Sequence, residues 1–306
     1  DECGVCDDNV SNDCITLTIN LEVGANLISF HALPSDRSLA SIFSSLNDNI
    51  NLIITEGSGA VNLGGIWYGS LYEITPNNGY WVIMNTDETL IIPEAVPSSF
   101  EGYNLQYQLH SGNNLISYPF MVDQAIEDAI SSEYDNSIWA VAGSGIAATN
   151  INGSWHGSLE YLYSDAGYWM VSYGDTQFQY NQPDYDASSQ NNSNSRTDAP
   201  DLFTFCQSTY QAFYWVADAD IDGLPMVVGE DWIGAFYGDV CVGAREWSGM
   251  STYGIPTDVP VMGYDDAIEA THDYIIAGEY PRFVVYDASE GTYTNANAYD
   301  NHIFEG

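Results

Sequence analysis

Asn26-Leu27-Ile28-Ser29 returns as Asn114-Leu115-Ile116-Ser117, and Gly79-Tyr80-Trp81 returns as Gly167-Tyr168-Trp169. In both cases the second copy lies 88 positions after the first, as from 26 to 114. The same offset relates Gly24 to Gly112, Trp67 to Trp155, Asp87 to Asp175, and Gly69-Ser70-Leu71 to Gly157-Ser158-Leu159. So many matches at one offset mark a duplicated unit. A period this long is a small domain with its own core rather than a solenoid repeat. What recurs is aromatic residues and glycines, not reactive side chains, which points to architecture rather than catalysis.

Working outward, each copy alternates strand and turn signals. Ile15–Leu21 alternates strictly between apolar and polar residues and predicts a strand with one buried face. Leu39, Ile42, Phe43 and Leu46 recur at helical spacing and predict one short helix, with Ser35 or Asp36 as its cap. Leu105, Tyr107 and Leu109 repeat the first strand, and Asp123 is placed to cap the second helix. Gly57-Ser58-Gly59 matches Gly143-Ser144-Gly145 at an offset of 86, which predicts compensating insertions in Gly-rich loops. Beyond residue 200, Ala212–Val216, Trp232–Phe236 and Phe283–Tyr286 read as strands, as do the surroundings of Phe203 and Phe205, with Asp-Gly turns between them. The prediction is a mainly β fold: two homologous β-rich modules, each with one short helix, followed by a C-terminal β-sandwich-like domain. The boundaries are an arm at 1–14, module A at 15–97, module B at 98–185, a Ser/Asn-rich linker at 186–199 and the last domain at 200–306.

Composition limits function. The chain has 306 residues, 43 Asp and Glu, four arginines and no lysine, for a formal charge of -39. That excess excludes binding to nucleic acid by phosphate neutralisation. It fits a setting rich in salt or divalent cations, where self-repulsion is screened. No stretch of 18 apolar residues occurs, so no membrane insertion is expected. The first residue is Asp1 rather than Met, which suggests a processed or excerpted form.

Residues 1–14, DECGVCDDNVSNDC, place Cys3, Cys6 and Cys14 among acids. This resembles the Asp-Cys-Gly-Val-Cys segments of thrombospondin-type-3-like calcium-binding repeats. The resemblance implies disulfides, and Ca2+ held by Asp7, Asp8 and Asp13. Zinc would need a fourth ligand that the segment lacks. The Asn-Leu-Ile-Ser and Gly-Tyr-Trp repeats, together with Asp231–Phe236 and Cys241–Arg245, resemble tandem β-rich modules of large secreted bacterial surface proteins. That likeness implies an extracellular protein of non-enzymatic domains, secreted or at the cell surface. Five cysteines leave one over. Cys206 and Cys241 lie on neighbouring candidate strands and are expected to pair; the odd thiol of the arm is then available to another chain. Asn9, Asn152 and Asn191 head Asn-X-Ser triplets and are candidate glycosylation sites.

Catalytic signals are weak. Asp218, Asp220 and Asp222 resemble the start of a calcium loop, but the position that should hold a bidentate acid is Gly229, so an Asp-Gly β-turn is the stronger reading. His31, His110, His156, His272 and His302 show no metal-ligand spacing, and no nucleophile elbow or phosphate loop occurs. Trp67, Trp155, Trp81 and Trp169 read as core residues in preference to sugar platforms. The chain is therefore expected to be no enzyme but a structural glycoprotein. It would form an extracellular fibre, filament or surface layer with copies of itself as partners, joined head to tail through the arm and the C-terminal domain. Ile15–Leu21 could add to a neighbour's sheet edge. The alternative is a carbohydrate-binding or adhesive module, with glycans as partners.

Overall fold

The computed structural model describes residues 14–100, 103–184, 199–249 and 256–305. They are mainly β, with two short α-helices. The first copy runs β1 (Ile15–Leu21), β2 (Gly24–Ile28), β3 (Ala32–Leu33), α1 (Leu39–Ile42), β4 (Ile50–Thr55), β5 (Ser58–Leu63), β6 (Ile66–Gly69), β7 (Tyr80–Met84) and β8 (Glu88–Pro97). The second runs β9 (Tyr107–Leu109), β10 (Gly112–Ser117), β11 (Gln124–Ala125), α2 (Ile126–Ala129), β12 (Ile138–Ala142), β13 (Ala147–Ile151), β14 (Ser154–Gly157), β15 (Tyr161–Leu162), β16 (Gly167–Ser172) and β17 (Thr176–Phe178). Then come β18 (Gln211–Val216), β19 (Asp220–Ile221), β20 (Leu224–Pro225), β21 (Trp232–Tyr237), β22 (Val240–Glu246), β23 (Thr257–Met262), β24 (Arg282–Asp287) and β25 (Thr292–Asn295).

Each copy builds the same antiparallel five-stranded sheet. The order is β2-β7-β4-β5-β6 in the first and β10-β16-β12-β13-β14 in the second. A second sheet, β1-β8-β3, completes the first copy. The alternation of Ile15–Leu21 places Leu17, Ile19 and Leu21 in the core and Thr16, Thr18 and Asn20 at the surface. This strand pairs with β8 inside its own module. In the second copy β9 pairs with β17 and β11 with β15.

The helices differ from expectation. Leu39, Ile42, Phe43 and Leu46 are all buried, but only Leu39–Ile42 is α-helical and Ser44–Asn49 is a 3-10 turn. Ser and Asn in the continuation compete with backbone hydrogen bonding, so the α-helix stops after one turn. Ser38 is the cap, its Oγ accepting the Ser41 N–H at 3.3 Å, while Asp36 accepts the Ser38 N–H. Asp123 does not cap α2; its carboxylate accepts the Ser164 N–H at 2.9 Å, and Ala125 occupies the cap position. Nor do the Gly-rich loops shift register. Gly57 and Gly145 are both left-handed, and Ala60 pairs with Gly69 across the first hairpin, so an offset of 88 carries through the five-stranded sheets.

The described chain forms two compact units. One holds the residues up to Ser144 with 149–155 and the segment from Leu159. The other holds 145–148, 156–158 and the residues from 199 onward. In the second unit β18 pairs with β23, β19 with β20, and β22-β21-β24-β25 form a four-stranded sheet. Phe203 and Phe205 precede β18 without regular structure; Phe203 is buried and packs edge-on to Phe236 at 6.0 Å.

Candidate functional site

The echoed residues meet one another across a pseudo-twofold contact inside the first unit. Ile28 bridges Ala166, and Asn78 bridges Ile116. An offset of 88 turns 28 into 116 and 78 into 166, so the two bridges are one contact made twice. The Ser29 N–H donates to the Asp165 carbonyl at 2.7 Å, and the equivalent Ser117 N–H donates to the Asn77 carbonyl at 3.1 Å. Leu27, Leu115 and Trp81 form a buried cluster between the copies, with Trp169 packed on it. A Cβ on Gly79 would stand 2.9 Å from the Ile116 carbonyl oxygen. One on Gly167 would stand 2.7 Å from the Ile28 carbonyl and 3.2 Å from the Gly79 Cα. The repeated glycines let two backbones meet where no side chain fits.

Strand alternation explains the rest of the phrase. In Gly79-Tyr80-Trp81, Tyr80 turns into its own module, and its hydroxyl accepts the Thr75 N–H at 2.8 Å, while Trp81 turns to the other copy. Tyr168 repeats this with the Tyr163 N–H at 2.8 Å. Asn26 and Asn114 buckle the preceding turn. Each accepts an N–H four residues earlier, from Glu22 and His110, and donates back to the carbonyls of the same residues. Thus Trp81 and Trp169 belong to the contact between copies. Trp67 packs on the core of the first, 5.7 Å from the Phe43 ring.

Two side-chain links lack counterparts in the repeat. Glu56 accepts from His110 Nε2 at 2.5 Å and from the Leu115 N–H at 3.2 Å. Buried His31 meets Asp165 through Nδ1, and its Nε2 has no partner among the described residues. The His110 pKa is raised, first by its hydrogen bond to the Ser111 carbonyl and then by Glu56. These contacts favour the imidazolium.

A third locus distinguishes the copies. In the second unit the Asp258 carboxylate, fully buried, accepts from the Ser158 N–H at 2.9 Å, the Ser158 hydroxyl at 2.6 Å and the Ala147 N–H at 3.3 Å. Arg245 Nη2 stands 3.2 Å from it and also donates to the Gly145 carbonyl. Burial pushes the Asp258 pKa up, and Arg245 opposes the shift. In the first copy Gly59 and Ser70 stand where Ala147 and Ser158 stand in the second, with the same 3.3 Å bond from the N–H to the Ser Oγ. Among the described residues β6 is an edge strand of that sheet with no partner on its outer side. The sequence singles out Arg245 only as the end of the stretch Cys241–Arg245 and does not announce Asp258; the clue was the duplicated Gly-Ser-Leu, whose partner lies about 100 residues away.

The other expected sites are dispersed. Cys206 and Cys241 are both free thiols, so the expected bridge is not formed. Cys206 lies in the irregular segment before β18, its N–H donating to the Tyr274 hydroxyl at 2.7 Å, and it is exposed. Cys241 is buried on β22, and burial pushes its thiol up to about 11. Asp222 and Gly223 are both left-handed, and the Asp220 carboxylate accepts the Gly223 N–H at 2.9 Å: this is the two-residue turn of a hairpin. Asp218 is exposed beside it. No group of three or more His, Cys, Asp or Glu among the described residues is placed to hold a metal ion. Asn152 is left-handed and exposed at the turn between β13 and β14. Cys3, Cys6, Asp7, Asp8, Asn9, Asp13 and Asn191 lie outside the described residues, and Cys14 begins them. No family model, curated protein or solved structure matches the chain.

Gly79→Ala and Gly167→Ala should each destabilise the protein by about 1–3 kcal/mol in urea unfolding, because the added methyl meets backbone on the facing copy. His110 should titrate above the ordinary histidine value by NMR, and Glu56→Gln should bring it down. The stabilisation it provides is complete below the unfolded pKa of about 6.5 and disappears as pH rises through the higher folded pKa. In the native protein a maleimide should label Cys206 quickly and Cys241 only after unfolding, since Cys206 is exposed while Cys241 is buried with its thiol pushed up to about 11.

Proposed function

We propose that the chain is a structural subunit of an extracellular fibre, filament or surface layer, and that it assembles head to tail through residues 1–14 and its C-terminal domain. In this reading two homologous β modules pack on each other and the last residues form a sandwich-like domain; residues 1–14 are cross-linked by disulfides. The observation that carries it is the use made of the repeat. Apart from Ser158, which holds Asp258, the echoed residues traced above serve packing within a copy or between copies, and β6 is an edge strand among the described residues. A body built this way is a spacer with an unpaired edge, and heterologous contacts between such bodies propagate instead of closing. The acidity fits an outer setting where cations screen it.

Carbohydrate binding is the second reading, and exposed Tyr68 and Tyr72 are its best platform. Tyr68 lies on the open edge strand itself, which favours backbone pairing over ring stacking.

Electron microscopy and sedimentation of the purified chain, with Ca2+ and an oxidant present, should show filaments or sheets. Removal of residues 1–14 should leave isolated particles. A wild-type chain that stays monomeric at every concentration would sink the proposal.

A further inference from the structure

The edge at β6 lacks the usual protection of a free strand. From Gly57 to Tyr72 the chain reads GSGAVNLGGIWYGSLY, sixteen residues with no charge and no proline in a protein of net charge -39. Open edges are ordinarily guarded by charge, proline or a covering element. Here Leu63, Ile66, Tyr68 and Tyr72 are 59%, 58%, 53% and 78% exposed. At the equivalent positions the second copy carries Ile151, Ser154, His156 and Glu160, a more polar set.

The second copy also shows what the position can hold. Its Ser158 and Ala147 bind the Asp258 carboxylate, and Arg245 neutralises it. In the first copy Ser70 and Gly59 hold the same places, and no carboxylate sits on them among the described residues; there the Ser70 N–H donates to the Gly59 carbonyl at 2.9 Å, so the Ser70 hydroxyl and the Gly59 N–H are the donors that face a newcomer. An arginine lies beside the chain a few residues after Ser70. Arg37 is exposed, its carbonyl accepts the Ile74 N–H at 2.9 Å, and Ser38 bridges Glu73. Among the described residues the Arg37 guanidinium has no acidic partner, whereas Arg245 is bound to Asp258 and Arg282 lies over Phe236. In a chain without lysine this is a rare exposed cation.

We propose that this edge receives residues 1–13 of a second copy of the chain as an added strand, with one of its aspartates taking on Ser70 and Gly59 the place that Asp258 takes on Ser158 and Ala147. The inference rests on one part of the assembly reading above, that copies join through residues 1–14, and it puts the receiving surface on the first module in place of the C-terminal domain. Residues 1–13 carry Asp1, Glu2, Asp7, Asp8 and Asp13 and no base, which complements Arg37 and the hydroxyl and N–H donors. Added strands gain affinity from main-chain hydrogen bonds and specificity from alternate side chains, here over Ile66 and Tyr68.

The test uses the full chain, with sedimentation velocity across a concentration series and hydrogen–deuterium exchange of residues 57–72. Wild type should associate, with exchange at 66–70 slowed as it does so. Excess synthetic peptide of residues 1–13 should reverse the association. Arg37→Gln and Tyr68→Asp, both at exposed positions, should weaken it by about tenfold or more while leaving the near-UV circular dichroism unchanged. Association without slowed exchange at 66–70, and unaffected by both variants and the peptide, would overturn this inference while leaving the assembly reading intact. A chain that remains monomeric with 66–70 already protected would show its own residues 1–13 on the edge and overturn the exchange between copies. A chain that remains monomeric and unprotected would remove both.

Discussion

Two backbones meet at Gly79 and Gly167 with no room for a side chain between them, and most of the first unit follows from that approach. Hydrogen bonds can pass between the copies at Ser29 and Ser117 only if the chains come this close. Once they do, alternation along β7 and β16 determines where each neighbour points. Tyr80 and Tyr168 go inward, each held by its hydroxyl, and Trp81 and Trp169 go to the facing copy. Leu27 and Leu115 close the same cluster from β2 and β10. Breaking the contact would expose two tryptophans and two leucines together, at a cost of the order of a few kcal/mol for each side chain.

The symmetry is carried by backbone, apolar residues and the paired Asn26 and Asn114, and ionisable side chains depart from it. Glu56 with His110, and His31 with Asp165, each occur once. The two outer edges depart furthest. One copy has Asp258 and Arg245 on its serine; the other keeps serine, glycine and a run of uncharged residues in the open. The echoed serine thus stands in two environments: the Ser158 N–H donates to a carboxylate, and the Ser70 N–H donates to the Gly59 carbonyl. Scarcity of bases sharpens the difference, since four arginines face 43 acids and each placement matters.

Much of the fold was legible without coordinates. The 88-residue echo marked the copies, the alternation of Ile15–Leu21 marked its buried face, and Asp222-Gly223 marked a tight turn. Local periodicity and turn chemistry are read over a few residues, so they survive in one dimension. What failed depended on competition between neighbours. The cap of α1 moved to Ser38 because Asp36 was already bonded to the Ser38 N–H, and Asp123 was drawn to Ser164 across the module. The Cys206–Cys241 pairing failed because Cys206 precedes the strand it was assigned to and its backbone is tied to Tyr274.

The sequence by itself determined that there are two copies, that both are β-rich, and which residues both must keep. It could not say why they are kept. Leu27, Trp81 and Gly79 look like core residues of one module in any single copy, and only the folded chain shows them turned toward the other. Asp258 reached Ser158 by the same route, through a fold that joins residues about 100 positions apart. Contacts of that separation depend on where loops return the chain, and neither periodicity nor composition records it.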